Sequence, residues 1–214
     1  MAIGVPLLRT KGYAAPEVAH AYGRGRELCQ QIGEQPELFT ALAGLCSFYL
    51  VRAELQTARL LAEQCLRLAQ HVQDSALLVE AHFILGVTLF YSGELTSAQA
   101  ILERGSAFYD PQVNGSLTVT YGQDPGVGCR SYVSLALWFL GYPDRALGEN
   151  HDAFSLAREL SHPFSVGAAL HTALWLRQYR QERHAVQAHA EEEIALSKEE
   201  GFALWLTVGM IQRG

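Results

Sequence analysis

The residues of this sequence whose types and spacing could do chemistry are few. His189 and Glu193 stand four residues apart, on one face of a predicted helix, and such a pair can ligate zinc. The helical zinc-protease pattern needs a second histidine where Glu193 stands, and the sequence offers no third ligand nearby. The pair therefore fits a solvated, charged helix face better, and we expect no metal site.

A glycine-rich run, 122–128, precedes a predicted helix, and such a run can cradle a phosphate. It lacks the lysine of a phosphate loop and follows a loop rather than a strand. Asp124 can cap the helix and Pro125 suits its first turn, so a tight turn and a helix start explain the run.

His162, His171 and Tyr179 lie on one predicted helix or at its start. A catalytic histidine needs a nucleophile or a carboxylate partner in reach, and neither can be placed from the sequence. We therefore predict no catalytic residues and no cofactor, and a protein that is not itself an enzyme.

The sequence has four cysteines, at 29, 46, 65 and 129, and none lies within three residues of another. This spacing excludes a Cys-x-x-Cys pair for zinc binding or redox chemistry. All four fall within helical patterns, where they fit small core residues of a reduced, cytoplasmic protein.

Apolar and aromatic residues recur on the first helix of each predicted helix pair, which lines the inner face when such pairs stack. The predicted groove residues are Phe83, Val87, Phe90, Ser131, Leu135, Trp138, His171 and Leu174. Core packing and a groove for a partner helix or peptide both fit this stripe. Tyr121 and Asp124 are candidates in an inserted segment, 111–123, and at its end; the segment either folds into the groove or forms a surface excursion.

The elements that position these residues are predicted to be helices. Apolar residues recur three and four positions apart, proline falls at helix starts and glycine at helix ends. Helices are predicted at 16–32, 36–52, 55–73, 75–92, 95–109, 125–140, 143–160, 163–179, 182–199 and 202–212. Only the stretch 117–121 alternates as a strand does.

A turn pattern recurs four times along the chain. Copies begin at Ala53, Gly93 and Gly141, with a weaker fourth at Arg180, and each has an alanine five residues on; these alanines lie 40, 48 and 39 residues apart. The chain, 1–214, is therefore predicted to be one all-α helical-repeat domain, an α-solenoid of antiparallel helix pairs in a right-handed superhelix. Its predicted parts are an unpaired helix at 16–32, repeats at 36–73, 75–110, 124–160 and 163–199, and an unpaired helix at 202–212.

Composition excludes several classes of protein. The chain has 214 residues, 49% of them apolar, and a net charge of −6, so disorder and binding to a phosphate backbone are both disfavoured. The longest apolar runs, about nine residues, are far shorter than the roughly 20 that a membrane helix needs. We expect no nucleic-acid partner and no membrane span.

The second repeat resembles the tetratricopeptide pattern. Leu85-Gly86, Gly93, Ala98 and Leu102 stand at that pattern's offsets, where small residues let two antiparallel helices approach closely. The pattern has 34 residues whereas this repeat has about 40, so the helices here are expected to be longer.

Four segments resemble such repeats as they occur in one particular class of multidomain protein. These segments are 48–55, 89–95, 121–127 and 136–146. They resemble the helical region of bacterial multidomain signalling proteins that also carry an adenylate/guanylate cyclase-type domain and an AAA-type ATPase domain. The resemblance implies a protein-interaction and regulatory module, whose partners are a protein, a peptide or other domains of a parent chain. A small-ligand sensor that uses the groove and the 111–123 loop is the alternative.

The last predicted helix, 202–212, is apolar almost all round and has no predicted partner helix. An all-round apolar helix belongs in a core. We therefore interpret the chain as a fragment of a longer repeat protein, and expect a dimer through 202–212 that results from truncation.

Overall fold

The structure, a computed structural model, describes residues 11–33, 35–114 and 117–214. The prediction of an all-α fold is confirmed: helix makes up 85% of the structure, and no strand occurs in the described ranges. The helices are α1 Pro16–Ile32, α2 Gln35–Val51, α3 Leu55–Val72, α4 Ser75–Tyr91, α5 Leu95–Phe108, α6 Pro111–Asn114, α7 Leu117–Tyr121, α8 Pro125–Phe139, α9 Pro143–Glu159, α10 Pro163–Tyr179, α11 Arg183–Glu200 and α12 Ala203–Arg213.

Consecutive long helices pack against each other as antiparallel pairs. The hairpins α2/α3, α4/α5, α8/α9 and α10/α11 each make extensive internal contacts, because short turns join their helices. The first helices of the hairpins also contact one another, α2 with α4, α4 with α8 and α8 with α10, and α12 then contacts α10. We call α2, α4, α8, α10 and α12 the inner row.

The repeated turn within each hairpin has one backbone geometry. Ala53, Gly93, Gly141 and Gln181 all have positive φ, and they lie 40, 48 and 40 residues apart. The amide that follows each of them donates to a carbonyl five residues back, to Tyr49, Leu89, Leu137 and Arg177 respectively, as in a Schellman helix end. The fourth turn therefore lies one residue later than the sequence alignment has it. Gln181, and not Arg180, is the residue with the left-handed conformation.

The inserted segment holds two short helices. α7 packs against α2, which places Leu117 and Thr118 in the interior and leaves Val119 79% exposed. The strand-like alternation of 117–121 is therefore misleading, because five residues are too few to separate a period of two from one of 3.6. Contact with α2 favours the helix.

In the second hairpin, α4/α5, a leucine of one helix packs directly on a glycine of the other. A Cβ atom on Gly86 would lie 2.4 Å from Cγ of Leu102, so the leucine occupies the space that a side chain would need. The side chain closest to Gly86 across the hairpin is thus Leu102. It lies one turn beyond Ala98, the small residue that the tetratricopeptide pattern places on the facing helix. Ala98 is itself fully buried.

We expect Ala98→Leu to lower the free energy of unfolding by about 1–3 kcal/mol, since a larger side chain overpacks a closed core. Ala100→Leu is the matched control, because the same change two residues on falls at an exposed position of α5. Urea unfolding of the two variants measures the difference. Equal stability of both variants would contradict this packing of α4 against α5.

The last helix, α12, is only partly free of neighbours. It packs against α11 and α10, and the rings of Phe164, Phe202 and Trp205 form a buried cluster. α12 thus packs on the preceding hairpin as the other inner-row helices do, and this face of it is covered. Met210 and Ile211 on the other side are 53% and 73% exposed. In the described part of the chain, none of the helices combines the length and hydropathy that a membrane span requires.

Candidate functional site

A cavity of about 430 Å³ lies against the inner row. Its walls come from α2, α4, α8, α10 and α12, together with Tyr13, Tyr22 of α1 and the end of the inserted segment. Its described lining is mostly apolar and aromatic, which is typical of small-molecule sites. The aromatic and imidazole side chains of this lining are Tyr13, Tyr22, Phe83, Tyr91, Tyr121, Tyr132, His171 and Trp205.

One face of α4 forms a central wall. Glu80, Phe83, Ile84, Val87 and Tyr91 recur at intervals of three and four residues, so one stripe of the helix faces the cavity. α4 is buried nearly all round, and Glu80 is its only acidic residue. The sequence therefore puts a single carboxyl into an otherwise apolar wall.

Glu80 is 4% exposed, and its Oε2 atom has no hydrogen-bond partner among the described residues. Burial raises the pKa of this carboxyl to about 8, and the nearby negative charge of Asp124 contributes to the rise. A buried carboxyl without a partner is costly to ionise. A ligand that pairs with this carboxyl would remove that cost.

The α8 wall approaches α4 closely because it begins with small residues. A Cβ atom on Gly128 would lie 2.4 Å from the ring of Phe83, so glycine is needed there to admit the ring. Ser131, one turn on, is 2% exposed, and its hydroxyl lacks a hydrogen-bond partner within the described ranges. The hydroxyls of Tyr91 and Tyr132 meet at 3.2 Å across the α4–α8 boundary.

His171 of α10 and Trp205 of α12 form another wall, with their ring centroids 5.2 Å apart. Burial lowers the pKa of His171 to about 4, so its imidazole is neutral at neutral pH. Nδ1 of His171 and Nε1 of Trp205 are both buried without a partner in the part of the chain that the structure describes.

The inserted segment contributes Thr120 and Tyr121 to the lining, and Gln123 follows at its end. The ring of Tyr121 meets that of Phe39 edge-on at 6.0 Å, and burial raises the pKa of its hydroxyl. The segment thus narrows the space beside the inner row. Of the two interpretations of 111–123, folding towards the groove is the one that matches this geometry.

Asp124 has a structural position and does not line the cavity. One carboxylate oxygen accepts from the amide of Val127 at 2.9 Å, and the other accepts from the hydroxyl of Tyr109 at 2.8 Å. Its own amide donates to Ser165 Oγ at 2.8 Å. Asp124 therefore caps α8 and links it to α10, and its carboxylate oxygens are already used.

The predicted groove residues divide into two groups. Phe83, Val87, Ser131 and His171 line the cavity, as does Tyr121, the candidate of the inserted segment. Leu135 and Leu174 do not, because they are fully buried in the interior.

Phe90 and Trp138, the other two predicted groove residues, also lie outside the lining. Phe90 packs against the rings of Tyr132 and Phe139, at 5.5 and 6.0 Å, and Trp138 packs on the apolar core. The predicted stripe mixes residues that face the cavity with residues that turn away, because the exact phase of each helix depends on its packing.

The His189/Glu193 pair does not form a solvated face, and that interpretation is wrong. Glu193 is fully buried, while His189 stacks on Phe154 with ring centroids 6.3 Å apart. No group of three or more metal-ligating side chains occurs among the described residues. The four cysteines are all buried, as predicted.

Sequence reasoning missed Glu80, Tyr13, Tyr22, Tyr132 and Trp205. A signal existed for Glu80, since one acidic residue stands alone in a 17-residue apolar helix. Tyr13 and Trp205 carry no local signal, because they reach the cavity only through the packing of distant parts of the sequence around the inner row.

The comparisons with known proteins bear on the fold alone. No family model matches the chain, and no curated protein matches it. Among solved structures, the chain is similar to BtubC (BKLC) from P. vanneervenii, with a TM-score of 0.67 at 15% sequence identity. The match covers 91% of this chain and 80% of that one. At this identity it shows a shared helical arrangement and nothing about function.

Proposed function

We propose that this chain is a non-enzymatic, small-ligand sensor domain, built as a tetratricopeptide-like right-handed superhelix whose inner row holds the ligand. The observation that carries the proposal is the cavity of about 430 Å³, with polar atoms on α4, α8, α10 and α12 that are unpaired among the described residues. An open groove would favour a peptide instead. Here the inserted segment and Tyr13 add further walls to the inner row.

The ligand is bound rather than transformed. The lining hydroxyl of Ser131 has no hydrogen-bonded base within the described structure that could activate it as a nucleophile. The three cysteines at 46, 65 and 129 have pKa values raised by burial, which disfavours the reactive thiolate. The free cysteines at 46, 65 and 129 support a cytoplasmic location.

The resemblance to helical regions of cyclase- and ATPase-bearing signalling proteins indicates that such binding would regulate other domains. A ligand held between α4, α8, α10 and α12 contacts several hairpins at once, so occupancy would favour one arrangement of the helices. Other domains of a parent chain would respond to that arrangement.

A protein partner is the second candidate, and the exposed side chains of Met210 and Ile211 on α12 favour it. This face would also support the self-association expected through 202–212. Sedimentation of the chain beside a Met210→Glu/Ile211→Glu variant tests it: association that the two charges abolish supports the face, and association that they leave intact excludes it.

A neutral aromatic probe tests the cavity itself. We expect tryptophol to bind with one-to-one stoichiometry in a calorimetric titration, and Val87→Phe to abolish binding by filling the space. Val119→Phe is the control, since Val87 is 5% exposed in the lining and Val119 is 79% exposed on the surface. Ser131→Leu is a second blocking variant should Val87→Phe fail to fold. Unchanged binding in a folded blocking variant would refute a ligand site here.

A further inference from the structure

We propose that the ligand of this cavity is an organic cation, a protonated amine on a compact apolar body, and that Glu80 pairs with its ammonium group. This inference rests on the proposed function and specifies its ligand. Glu80 stands on the cavity face of α4, is 4% exposed, and has one carboxyl oxygen without a partner among the described residues.

The described lining offers Glu80 no counter-charge. Glu80 is the only Asp, Glu, Lys or Arg in that lining, so ionisation of Glu80 gives the lining a negative charge with no positive side chain beside it. The charged group that acts on Glu80 is Asp124, whose sign is the same. His171 stays neutral because burial lowers its pKa to about 4. Once ionised, this buried carboxylate needs a cationic partner, and a ligand is the remaining source.

The rings around the cavity suit a cation as well. Phe83 lies one turn from Glu80 on the same helix face, and Tyr121 and Tyr132 stand on adjoining walls. Faces of aromatic rings attract an ammonium group, most strongly where water is excluded. A wall with one carboxyl and several rings therefore discriminates against anions and favours amines over neutral molecules of equal size.

Three further polar atoms of the lining elements have no partner in the described structure. Ser131 Oγ, His171 Nδ1 and Trp205 Nε1 are buried and unpartnered within the described ranges, and they lie on α8, α10 and α12. The indole nitrogen is a donor only, and the hydroxyl both donates and accepts. An amine that also carries a polar acceptor group could pair with these atoms as well as with Glu80.

The test uses three probes of one shape: tryptamine, its neutral counterpart tryptophol, and the anion indolepropionate. Calorimetric titrations are run at about pH 9, above the pKa of about 8 that burial gives Glu80, so that its carboxylate is ionised. We expect tryptamine to bind wild type roughly 10- to 100-fold more tightly than tryptophol, the usual range for a charged hydrogen bond. Indolepropionate should bind more weakly than either.

Two isosteric variants isolate the charge. Glu80→Gln should remove the preference for tryptamine and leave tryptophol binding close to that of wild type. Glu193→Gln is the matched control, since it neutralises the other buried, unpartnered glutamate, which does not line the cavity, and it should keep the preference. Equal binding of tryptamine and tryptophol, or a preference that survives in Glu80→Gln, would overturn this inference while leaving the cavity's binding function intact. Absence of binding by all three probes would overturn both proposals.

Discussion

Replacement of Glu193 by glutamine is expected to raise the free energy of unfolding at pH 8 by several kcal/mol and to leave it nearly unchanged at pH 4. Glu193 is fully buried beneath α12, and neither carboxyl oxygen has a partner among the described residues. Burial raises its pKa from an ordinary 4.5 to about 8, and burial is the whole cause of that rise. Each pKa unit by which the folded chain exceeds the unfolded chain corresponds to about 1.4 kcal/mol of folding free energy.

The sign follows from linkage between proton binding and folding. The folded chain holds the Glu193 proton more tightly than the unfolded chain, so the stabilising contribution is complete below pH 4.5. It is lost as pH rises towards about 8, because the folded chain must then keep a neutral acid or bury a charge. Glutamine has the same shape without the acid, so the variant should lack this part of the pH dependence.

Urea unfolding at several pH values between 4 and 9 measures the effect for wild type and variant. Glu191→Gln is the control, since it removes an acid two residues away at an exposed position of α11. Glu80 is present in all three proteins, so its own titration cancels from the comparison. Parallel pH profiles for wild type and Glu193→Gln would show that Glu193 does not titrate as a buried acid.

Glu193 also shows where sequence reasoning reaches its limit. Three consecutive glutamates, 191–193, have the pattern of a charged face, and Glu191 is indeed exposed. Which of the three turns inward depends on the rotation of α11 about its axis, and the packing of α12 against α11 sets that rotation. A Cβ atom on Gly209 of α12 would lie 3.2 Å from Oε2 of Glu193, so the glycine makes the space for the carboxyl.

The helices and the period, by contrast, follow from local signals. Proline starts, glycine ends and apolar spacing place each long helix to within one or two residues, because these signals act within a single turn of chain. The fourth repeat turn shifts by one residue because Gln181 has no such signal. The cavity was predictable only in part, since it needs Tyr13 and Trp205 from distant parts of the sequence.

Leu102→Ala and Gly86→Ala are expected to destabilise the fold separately and to compensate each other when combined. Leu102 is fully buried, so its truncation leaves a cavity in the second hairpin and should cost about 2–5 kcal/mol. In Gly86→Ala the added Cβ would lie 2.4 and 2.5 Å from Cγ and Cδ2 of Leu102, so the leucine or the helix must move. That overpacking, about 1–3 kcal/mol, is offset by up to about 1 kcal/mol of helix propensity gained by alanine.

In the double variant the new methyl group meets the space that the leucine has left. The overpacking of Gly86→Ala then disappears, and part of the cavity of Leu102→Ala is filled. We therefore expect the double variant to be more stable than the sum of the single effects by about 0.5–3 kcal/mol, the range for side chains in contact. Chemical unfolding of wild type, both single variants and the double variant measures this coupling between the two positions.

Gly148→Ala, at a helix position where a Cβ meets nothing within 4 Å, is the control, and its effect should add to that of Leu102→Ala. Additive effects for the Gly86/Leu102 pair would mean that α4 and α5 do not meet through these two residues.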